Sequence, residues 1–244
     1  MLGLPDGVTA CLFDMDGVVT KTAVVHAAAW KEMFDDFLRE WSAKTGATFV
    51  PFDPVRDYDE YVDGKPRLEG TQSFLEARKI SLPLGSPSDP PGAQTVWGLS
   101  NRKNELVLKV LARDGVEVYE GSSRYIAAAR AAGLRTAIVS SSANTAQVLE
   151  AGGISGLFDA RVDAQVAAAR GLHGKPAPDT FLEAARMLGV PAGAAAVFED
   201  ALAGVAAGHA GGFGFVVGVD RVGQAAELRE HGADVVVRDL ADLL

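Results

Sequence analysis

Residues 10–22 read ACLFDMDGVVTKT, and the expected fold follows from this stretch. A short apolar run ends in two carboxylates, Asp14 and Asp16, and Gly17 comes directly after them. Positions i and i+2 of a strand face the same side, so both carboxylates are expected at the carboxyl end of a buried strand, where open α/β sheets bind ligands. Two close carboxylates need a cation or a shared proton. The stretch therefore predicts a magnesium site or an acid/base pair, with a plain polar turn as the alternative.

The chain beyond Gly115 alternates short apolar runs with alanine-rich amphipathic segments. This alternation is typical of βαβ units and predicts a mostly parallel sheet with helices on both faces. The predicted strands cover residues 8–13, 134–139, 160–162, 194–198, 213–219 and 235–237. The predicted helices of this part cover residues 122–132, 144–151, 178–188, 201–209 and 222–231. The expected fold class is α/β, with a doubly wound parallel sheet.

A long segment with helical periodicity separates the first predicted strand from the second. A helix is expected at residues 22–45, because apolar side chains recur there at three- and four-residue spacings. Further helices are expected at residues 71–78 and, opening with a basic-polar cluster, at about 101–113. Residues 47–61 and the proline-containing residues 81–98 are expected to be irregular. We therefore predict an α/β core domain from residues 1–21 and 116–244, and an inserted α-helical domain from residues 22–115.

Composition limits the possible partners. The 244 residues are 48% hydrophobic, which is enough for a sizeable core, and the net charge is −9. Because no Lys/Arg-rich run is present, we expect no nucleic-acid partner and no anionic membrane surface. The single cysteine, Cys11, excludes a disulfide framework. No apolar run approaches the ~20 residues of a membrane span, and no leader is recognisable, so we expect a soluble, cytoplasmic protein. We also expect a monomer.

Polar residues of a particular kind follow several predicted strands. Ser140 and Ser141 follow the second strand, Lys175 lies in the loop before a long helix, and Glu199 and Asp200 end a later strand. Because the ends of parallel strands share one sheet edge, these groups should converge with the first carboxylates. A carboxylate can act as nucleophile, lysine and hydroxyl groups can hold phosphate oxygens, and further carboxylates can bind Mg2+. The inventory suits phosphoryl transfer.

Each of these residues also has a plainer interpretation when it is taken alone. Ser140 could cap the following helix, since serine is a common N-cap. Lys175 could be a solvated surface lysine. Glu199 and Asp200 could stabilise the N-terminus of the next helix. The combination, in this order and at strand ends, favours a site.

Together the segments resemble the motifs of the haloacid dehalogenase superfamily of phosphotransferases. They are similar in particular to its β-phosphoglucomutase-like branch, which carries a small helical cap between the first two motifs. The resemblance covers nearly the whole core and is carried by FDMDGV at 13–18, Ser140, KPAPD at 175–179, Glu199 and Asp200, and Ala203 and Gly204. It implies a Rossmann-like core with an inserted cap.

The resemblance implies a role for each core residue. Asp14 would be the nucleophile that becomes an aspartyl phosphate, and Asp16 the general acid/base. The implied metal ion is Mg2+, held by the Asp14 side chain, the Asp16 carbonyl and Asp200, with Glu199 adjacent. The implied phosphate-binding groups are the main-chain amides of Met15 and Ser141 and the side chains of Ser140 and Lys175. The bond between Lys175 and Pro176 is expected to be cis, as in relatives.

The resemblance also implies a set of residues in or near the cap. They are a hinge threonine, Thr22; two residues on one face of the first cap helix, His26 and Trp30; a substrate-specificity loop with Gly64 and Arg67; and Lys103, which lies in a basic cluster. For His26 and Lys103, a structural or solvated role is the alternative. Lys21, Asp63 and Ala143 depart from the branch's pattern, which leaves the sugar open.

The implied substrate is a small-molecule sugar phosphate. The leading activity is that of a β-phosphoglucomutase, which converts β-glucose 1-phosphate to glucose 6-phosphate through a bisphosphate. The alternative is a sugar-phosphate phosphatase of the same fold, in which water accepts the phosphoryl group. A more remote alternative is a non-catalytic sugar-phosphate sensor, against which the intact pair of Asp14 and Asp16 argues.

Overall fold

A computed structural model describes residues 2–244, which divide into two compact units. The sheet unit contains residues 2–22, 64–66 and 116–244, and the helical unit contains residues 23–63 and 67–115. The division differs from the predicted domain boundaries at two places. Thr22 and residues 64–66 group with the sheet unit, because their contacts are made there.

The sheet unit is built on a six-stranded parallel sheet. Its strands are β1 (Ala10–Asp14), β2 (Arg135–Val139), β3 (Ala160–Val162), β4 (Ala195–Glu199), β5 (Phe215–Val219) and β6 (Val235–Val237). Their spatial order is β3-β2-β1-β4-β5-β6, with β1 at the centre beside β2 and β4. The predicted α/β class and Rossmann-like parallel sheet are confirmed.

Helices numbered in chain order complete both units. The helical unit contains α1 (Ala23–Thr45), α2 (Arg67–Ala77) and α3 (Val96–Asp114), and a π-helical turn at Tyr58–Val62. The sheet unit contains α4 (Glu120–Ala131), α5 (Thr145–Ala151), α6 (Ala164–Arg170), α7 (Asp179–Leu188), α8 (Leu202–Ala210) and α9 (Ala225–Glu230). Within residues 2–244, no helix combines the length and the apolar character needed to cross a bilayer.

Successive side chains of β1 point to opposite faces of the sheet. All five β1 residues are buried, so both faces of the sheet are covered there. Phe13 stacks on Phe198 of β4 at a centroid distance of 4.5 Å and contacts the ring of Tyr125 from α4. Leu12 belongs to a cluster on the other face that includes Phe181 of α7. Burial on both faces fixes β1, and therefore fixes where its carboxyl end emerges.

An aromatic cluster forms the core of the helical unit. The Phe34 ring lies 4.0 Å from that of Phe74, 5.3 Å from Trp30 and 5.4 Å from Phe52, measured between centroids. The apolar spacing that predicts α1 therefore also places its buried face.

Several helical assignments from the sequence are wrong. Helix α2 begins at Arg67, not at residue 71, and α9 begins at Ala225, so residues 222–224 are not helical. Helix α3 begins at Val96, not near residue 101, because the Thr95 hydroxyl accepts a hydrogen bond from the main-chain N of Gly98 at 2.9 Å and caps the helix. Residues 96–98 are thus helical, although they were expected to be irregular. Helix α6 was not predicted; the Asp163 side chain caps it by accepting from two main-chain N–H groups.

Candidate active site

Polar groups from neighbouring strands meet at one edge of the sheet. Asp14 is the last residue of β1 and Glu199 is the last residue of β4, and these strands pair with Phe13 level with Phe198. Ser140 directly follows β2, whose Val139 is level with Asp14. The convergence expected from the strand ends is therefore present for these three side chains.

Lys175 enters the same edge from the loop between α6 and α7. Its ammonium donates hydrogen bonds to Asp14 Oδ1 and to Glu199 Oε1. The side chain is 1% exposed, and its Nζ lies 5.0 Å from the centroid of the Phe181 ring. The alternative of a solvated surface lysine is thus excluded. The peptide bond to Pro176 is cis.

The electrostatics of this group follow from burial. Burial raises the pKa of the Asp14 carboxyl well above its usual range; Lys175 acts to lower it, and Glu199 and Asp16 raise it further. Burial lowers the pKa of the Lys175 ammonium, but the two carboxylates that it contacts raise that pKa by more. Lys175 is therefore charged at neutral pH, and its charge favours ionised Asp14.

Three carboxylates at this edge are close enough to share a cation. Asp14, Glu199 and Asp200 are all buried, and one oxygen from each lies within 4.8 Å of the others. Lys175 brings one positive charge to three carboxyl groups, and a divalent cation would add the charge that keeps the buried Asp14 carboxylate ionised. Carboxylate oxygens are the ligands that Mg2+ prefers. The Asp16 side chain is not part of this group of three.

Two glycines make room for the carboxylates. A Cβ on Gly204, in α8, would lie 1.7 Å from Glu199 Oε1, and a Cβ on Gly17 would lie 1.7 Å from Asp200 Oδ2, so both would clash. Gly17 also has φ +87°, a conformation that other residues rarely adopt. Glu199 cannot yield easily, since it is fully buried and its Oε2 accepts a hydrogen bond from the Ala201 main-chain N at 2.8 Å. Ala201 is the N-cap residue of α8. Glu199 therefore stabilises the start of that helix, as the capping alternative expects, but its carboxylate also bonds Lys175.

Asp16 lies in a network of hydroxyl groups. Its Oδ1 is hydrogen-bonded to Thr22 Oγ1, which is 2.6 Å from Thr20 Oγ1. Thr20 Oγ1 in turn donates to the main-chain O of Met15 at 3.1 Å. Ser140 Oγ lies 3.4 Å from Asp16 Oδ2. Because hydroxyl groups rotate, this network can accept a hydrogen bond from a protonated Asp16 or donate one to its carboxylate.

The serines after β2 have other partners besides Asp16. Ser140 is 2% exposed and accepts a hydrogen bond from the Ser142 main-chain N at 3.1 Å, while the N-cap of α5 is Asn144. The alternative of Ser140 as the helix cap is therefore wrong. Ser141 Oγ donates to the Gly64 carbonyl at 2.7 Å, so Gly64 belongs with the sheet unit and not with the helical unit.

Within the helical unit, three predicted residues cluster. Lys103 Nζ is 2.7 Å from His26 Nδ1 and 4.7 Å from the centroid of the Trp30 ring. Lys103 is 5% exposed, which excludes a solvated face for it. A buried ammonium next to an imidazole and an indole combines a charge, a polar nitrogen and an apolar surface.

Arg67, also in the helical unit, carries a charge that no carboxylate balances. Its guanidinium donates to Asn104 Oδ1 at 3.1 Å and Asn101 Oδ1 at 3.4 Å, and no ion pair to it is found within residues 2–244. Burial lowers its pKa. Asn101 Nδ2 also donates to the carbonyls of Pro87 and Asp89, which ties the proline-containing segment to the same place. Neutral acceptors on one side leave Arg67 suited to an anion.

Some residues at the sheet edge were not predicted as site residues. Thr20 links Thr22 to the Met15 carbonyl, and two polar residues after β5, Arg221 and Gln224, reach the carboxylate loops. The signal for the last two was present, because polar residues at a strand end are the same pattern that identifies Ser140 and Glu199.

Substituting the glycine under Glu199 tests whether the carboxylate is fixed. Gly204→Ala should destabilise the protein by about 1–3 kcal/mol, since the added methyl displaces a buried, hydrogen-bonded carboxylate. Helix propensity alone would instead give a gain of up to about 1 kcal/mol. The free energy of unfolding from a urea titration followed by circular dichroism decides between them. Gly193→Ala, with no atom near its added Cβ, is the neutral control, and a gain for Gly204→Ala would contradict the geometry.

Comparisons with known proteins agree with this arrangement. The model of a family described as haloacid dehalogenase-like hydrolase matches residues 8–212. A protein named beta-phosphoglucomutase from Mycobacterium bovis is 58% identical, over 100% of this chain and 94% of the relative. One of the same name from Bacillus subtilis is 33% identical, over 96% of this chain and 91% of the relative.

A solved structure has the same fold. It is a beta-phosphoglucomutase from Clostridium difficile, which superimposes with a TM-score of 0.75. The two are 25% identical, and the match covers 97% of this chain and 93% of the other. The match therefore includes residues of both the sheet unit and the helical unit.

Proposed function

We propose a function from one premise: the chain belongs to the haloacid dehalogenase-like hydrolase family and is an enzyme. We infer that it transfers a phosphoryl group on a sugar phosphate, and that it is a β-phosphoglucomutase, as the 58% identical relative is named. The observation that carries the proposal is the buried contact of Lys175 with Asp14 and Glu199 at the sheet edge, with Asp200 beside them. This group places a carboxylate nucleophile next to an ammonium that offsets phosphate charge, and beside carboxylates suited to a divalent cation.

In the first half-reaction the donor is the glucose bisphosphate, and an oxygen of Asp14 forms a bond to phosphorus of its 1-phosphate. The bond between phosphorus and the sugar O1 breaks, Asp16 gives its proton to that oxygen, and glucose 6-phosphate leaves. In the second, the acceptor is β-glucose 1-phosphate: Asp16 takes the proton of its 6-hydroxyl as that oxygen attacks phosphorus, Asp14 leaves as a carboxylate, and the bisphosphate forms again. The protein's contribution is mainly positioning and charge, as phosphoryl transfer requires.

The threonine network suits Asp16 to this double role. With a proton on Oδ1, Asp16 would donate to Thr22, the reverse of the bond that Thr22 donates to the carboxylate. Thr22 would then donate to Thr20, and Thr20 donates to the Met15 carbonyl. Once the proton has left, the Thr22 hydroxyl can turn and donate to Oδ1. Both charge states of Asp16 then keep a hydrogen-bond partner, which a general acid/base needs.

Enzymes of this family generally use a divalent metal, and we propose Mg2+ here. Asp14, Glu199 and Asp200 would hold it, together with the proposed main-chain carbonyl of Asp16. When bound, the ion supplies charge that stabilises the phosphoryl oxygens. The proposed phosphate-binding groups of the protein are Ser140, Lys175 and the amides of Met15 and Ser141.

The helical unit is proposed to act as the cap that binds the sugar. His26, Trp30 and Lys103 offer a polar and aromatic surface for it, and Arg67 offers a guanidinium for the phosphate that is not transferred. Thr22 is the proposed hinge residue. The expected monomeric state and cytoplasmic location stay predictions.

Product analysis separates the mutase from the phosphatase, which the family's description as hydrolases keeps as a second candidate. With β-glucose 1-phosphate and Mg2+, phosphorus NMR should show glucose 6-phosphate; steady release of inorganic phosphate without glucose 6-phosphate would contradict the mutase assignment.

Asp14→Asn should lower turnover by about 10³-fold or more, because the nucleophile is lost. Asp114→Asn, in an exposed ion pair with Arg113, is the control. Unchanged turnover in Asp14→Asn would overturn the mechanism.

Removing the unbalanced guanidinium tests the role of the helical unit. Arg67→Met should raise KM for the hexose phosphate about 10- to 100-fold, the equivalent of one or two charge-assisted hydrogen bonds. Phosphorylation of the enzyme by acetyl phosphate, which has no second phosphate, should keep its rate. Steady-state kinetics with both donors give the result, with Arg113→Met as the exposed control. An equal loss with both donors would show that Arg67 serves the fold and not the substrate.

A further inference from the structure

The loop after β5 in the sheet unit donates hydrogen bonds to two segments, the one that follows Asp14 and the one that contains Asp200. Residues 220–224 follow β5, and from them Arg221 Nε donates to the Gly17 carbonyl at 2.7 Å. From the same loop, Gln224 Nε2 donates to the Asp200 carbonyl at 3.0 Å. Because β4 lies between β1 and β5 in the sheet, Arg221 reaches across the end of one strand to bond the loop after another.

The loop is itself fixed at several points. Asp220 Oδ1 accepts a hydrogen bond from the Gln224 main-chain N at 2.9 Å. Arg221 Nη1 donates to the Arg238 carbonyl at 2.8 Å, and the guanidinium carbon lies 3.6 Å from the centroid of the Tyr119 ring. The Arg221 side chain is 16% exposed. A guanidinium held by two carbonyls and an aromatic face has one defined position.

The two bonded segments are in close contact with each other. The Asp200 carboxylate lies against Gly17, with Oδ2 1.7 Å from the position that a Cβ would occupy. Gly17 is three residues after Asp14 and adjacent to Asp16. A displacement of the segment around Gly17 is therefore expected to change the spacing between Asp200 and the nearby Asp14 and Asp16. Metal ligands tolerate little error in spacing, particularly around Mg2+.

We propose that Arg221 and Gln224 are positioning residues that set the spacing between residues 14–17 and Asp200, and with it the affinity for a divalent cation. The inference rests on the proposed function only in that the three carboxylates bind a metal. Groups that orient metal ligands without touching the metal change its affinity about 10- to 100-fold when they are removed. Arg221 acts on the first carboxylate loop and Gln224 on the second.

Metal binding without substrate tests this directly. Mn2+, which suits the same oxygen ligands as Mg2+, is titrated into the full chain and the free ion is measured by electron paramagnetic resonance. We expect Arg221→Met and Gln224→Leu each to bind Mn2+ about 10-fold more weakly than the unaltered protein. Arg221→Lys, which keeps one donor, should recover part of the affinity. Arg229→Met, which changes an exposed arginine of α9, should bind as the unaltered protein does.

The outcomes distinguish the proposal from a purely structural role and from the proposed activity. A lower melting temperature with unchanged Mn2+ affinity in both variants would overturn it. If Arg221→Met does not fold, Gln224→Leu, which loses a single hydrogen bond, decides alone. A protein that lacks mutase and phosphatase activity but shows these Mn2+ shifts would sink the proposed function and leave this inference standing. No Mn2+ binding by the unaltered protein would overturn the inference.

Discussion

The buried contact of Lys175 with Asp14 and Glu199 is the constraint on which the candidate site depends. Taking three charged groups out of water costs free energy, which their mutual attraction offsets only when the geometry is good. Removing one partner of such a group typically costs about 3–5 kcal/mol, because a charge is left buried and unpaired. The fold therefore has to deliver all three side chains to one place, and the neighbouring strands β1 and β4 deliver two of them.

The remaining features of the sheet edge follow from that requirement. Gly204 leaves space for the Glu199 carboxylate, and Gly17 leaves space for that of Asp200. Lys175 contributes one positive charge, which does not balance the three carboxylates of Asp14, Glu199 and Asp200. The sheet edge therefore still favours binding of a divalent cation. In the proposed mechanism, a phosphate at this edge would meet Lys175, the proposed metal position and hydroxyl groups, with Asp14 as the proposed nucleophile. Stability and chemistry thus depend on the same few groups.

The α/β fold and most of the candidate site residues could be predicted from the sequence. Polar residues that directly follow apolar strands form a local pattern, and such residues converge at one edge of a parallel sheet. Asp14, Ser140 and Glu199 each follow an apolar run, and their convergence needs only a parallel sheet. Contacts between distant segments were beyond local reasoning: Arg221 bonds the carbonyl of Gly17, 204 residues away. Helix α3 was misplaced for a different reason, since the nearby prolines outweighed the capping signal of Thr95. The roles of the site residues remain predictions.

Detection of a phosphoryl group on Asp14 tests the account most directly. The enzyme is mixed with β-glucose 1-phosphate, or with acetyl phosphate, in the presence of Mg2+ and is quenched in acid during turnover. Mass spectrometry of the intact chain and of its peptides then locates the label. The account predicts one phosphoryl group on Asp14, formed fast enough to be an intermediate, and absent from Asp14→Asn. A label on another residue, or turnover with no labelled enzyme, would contradict it.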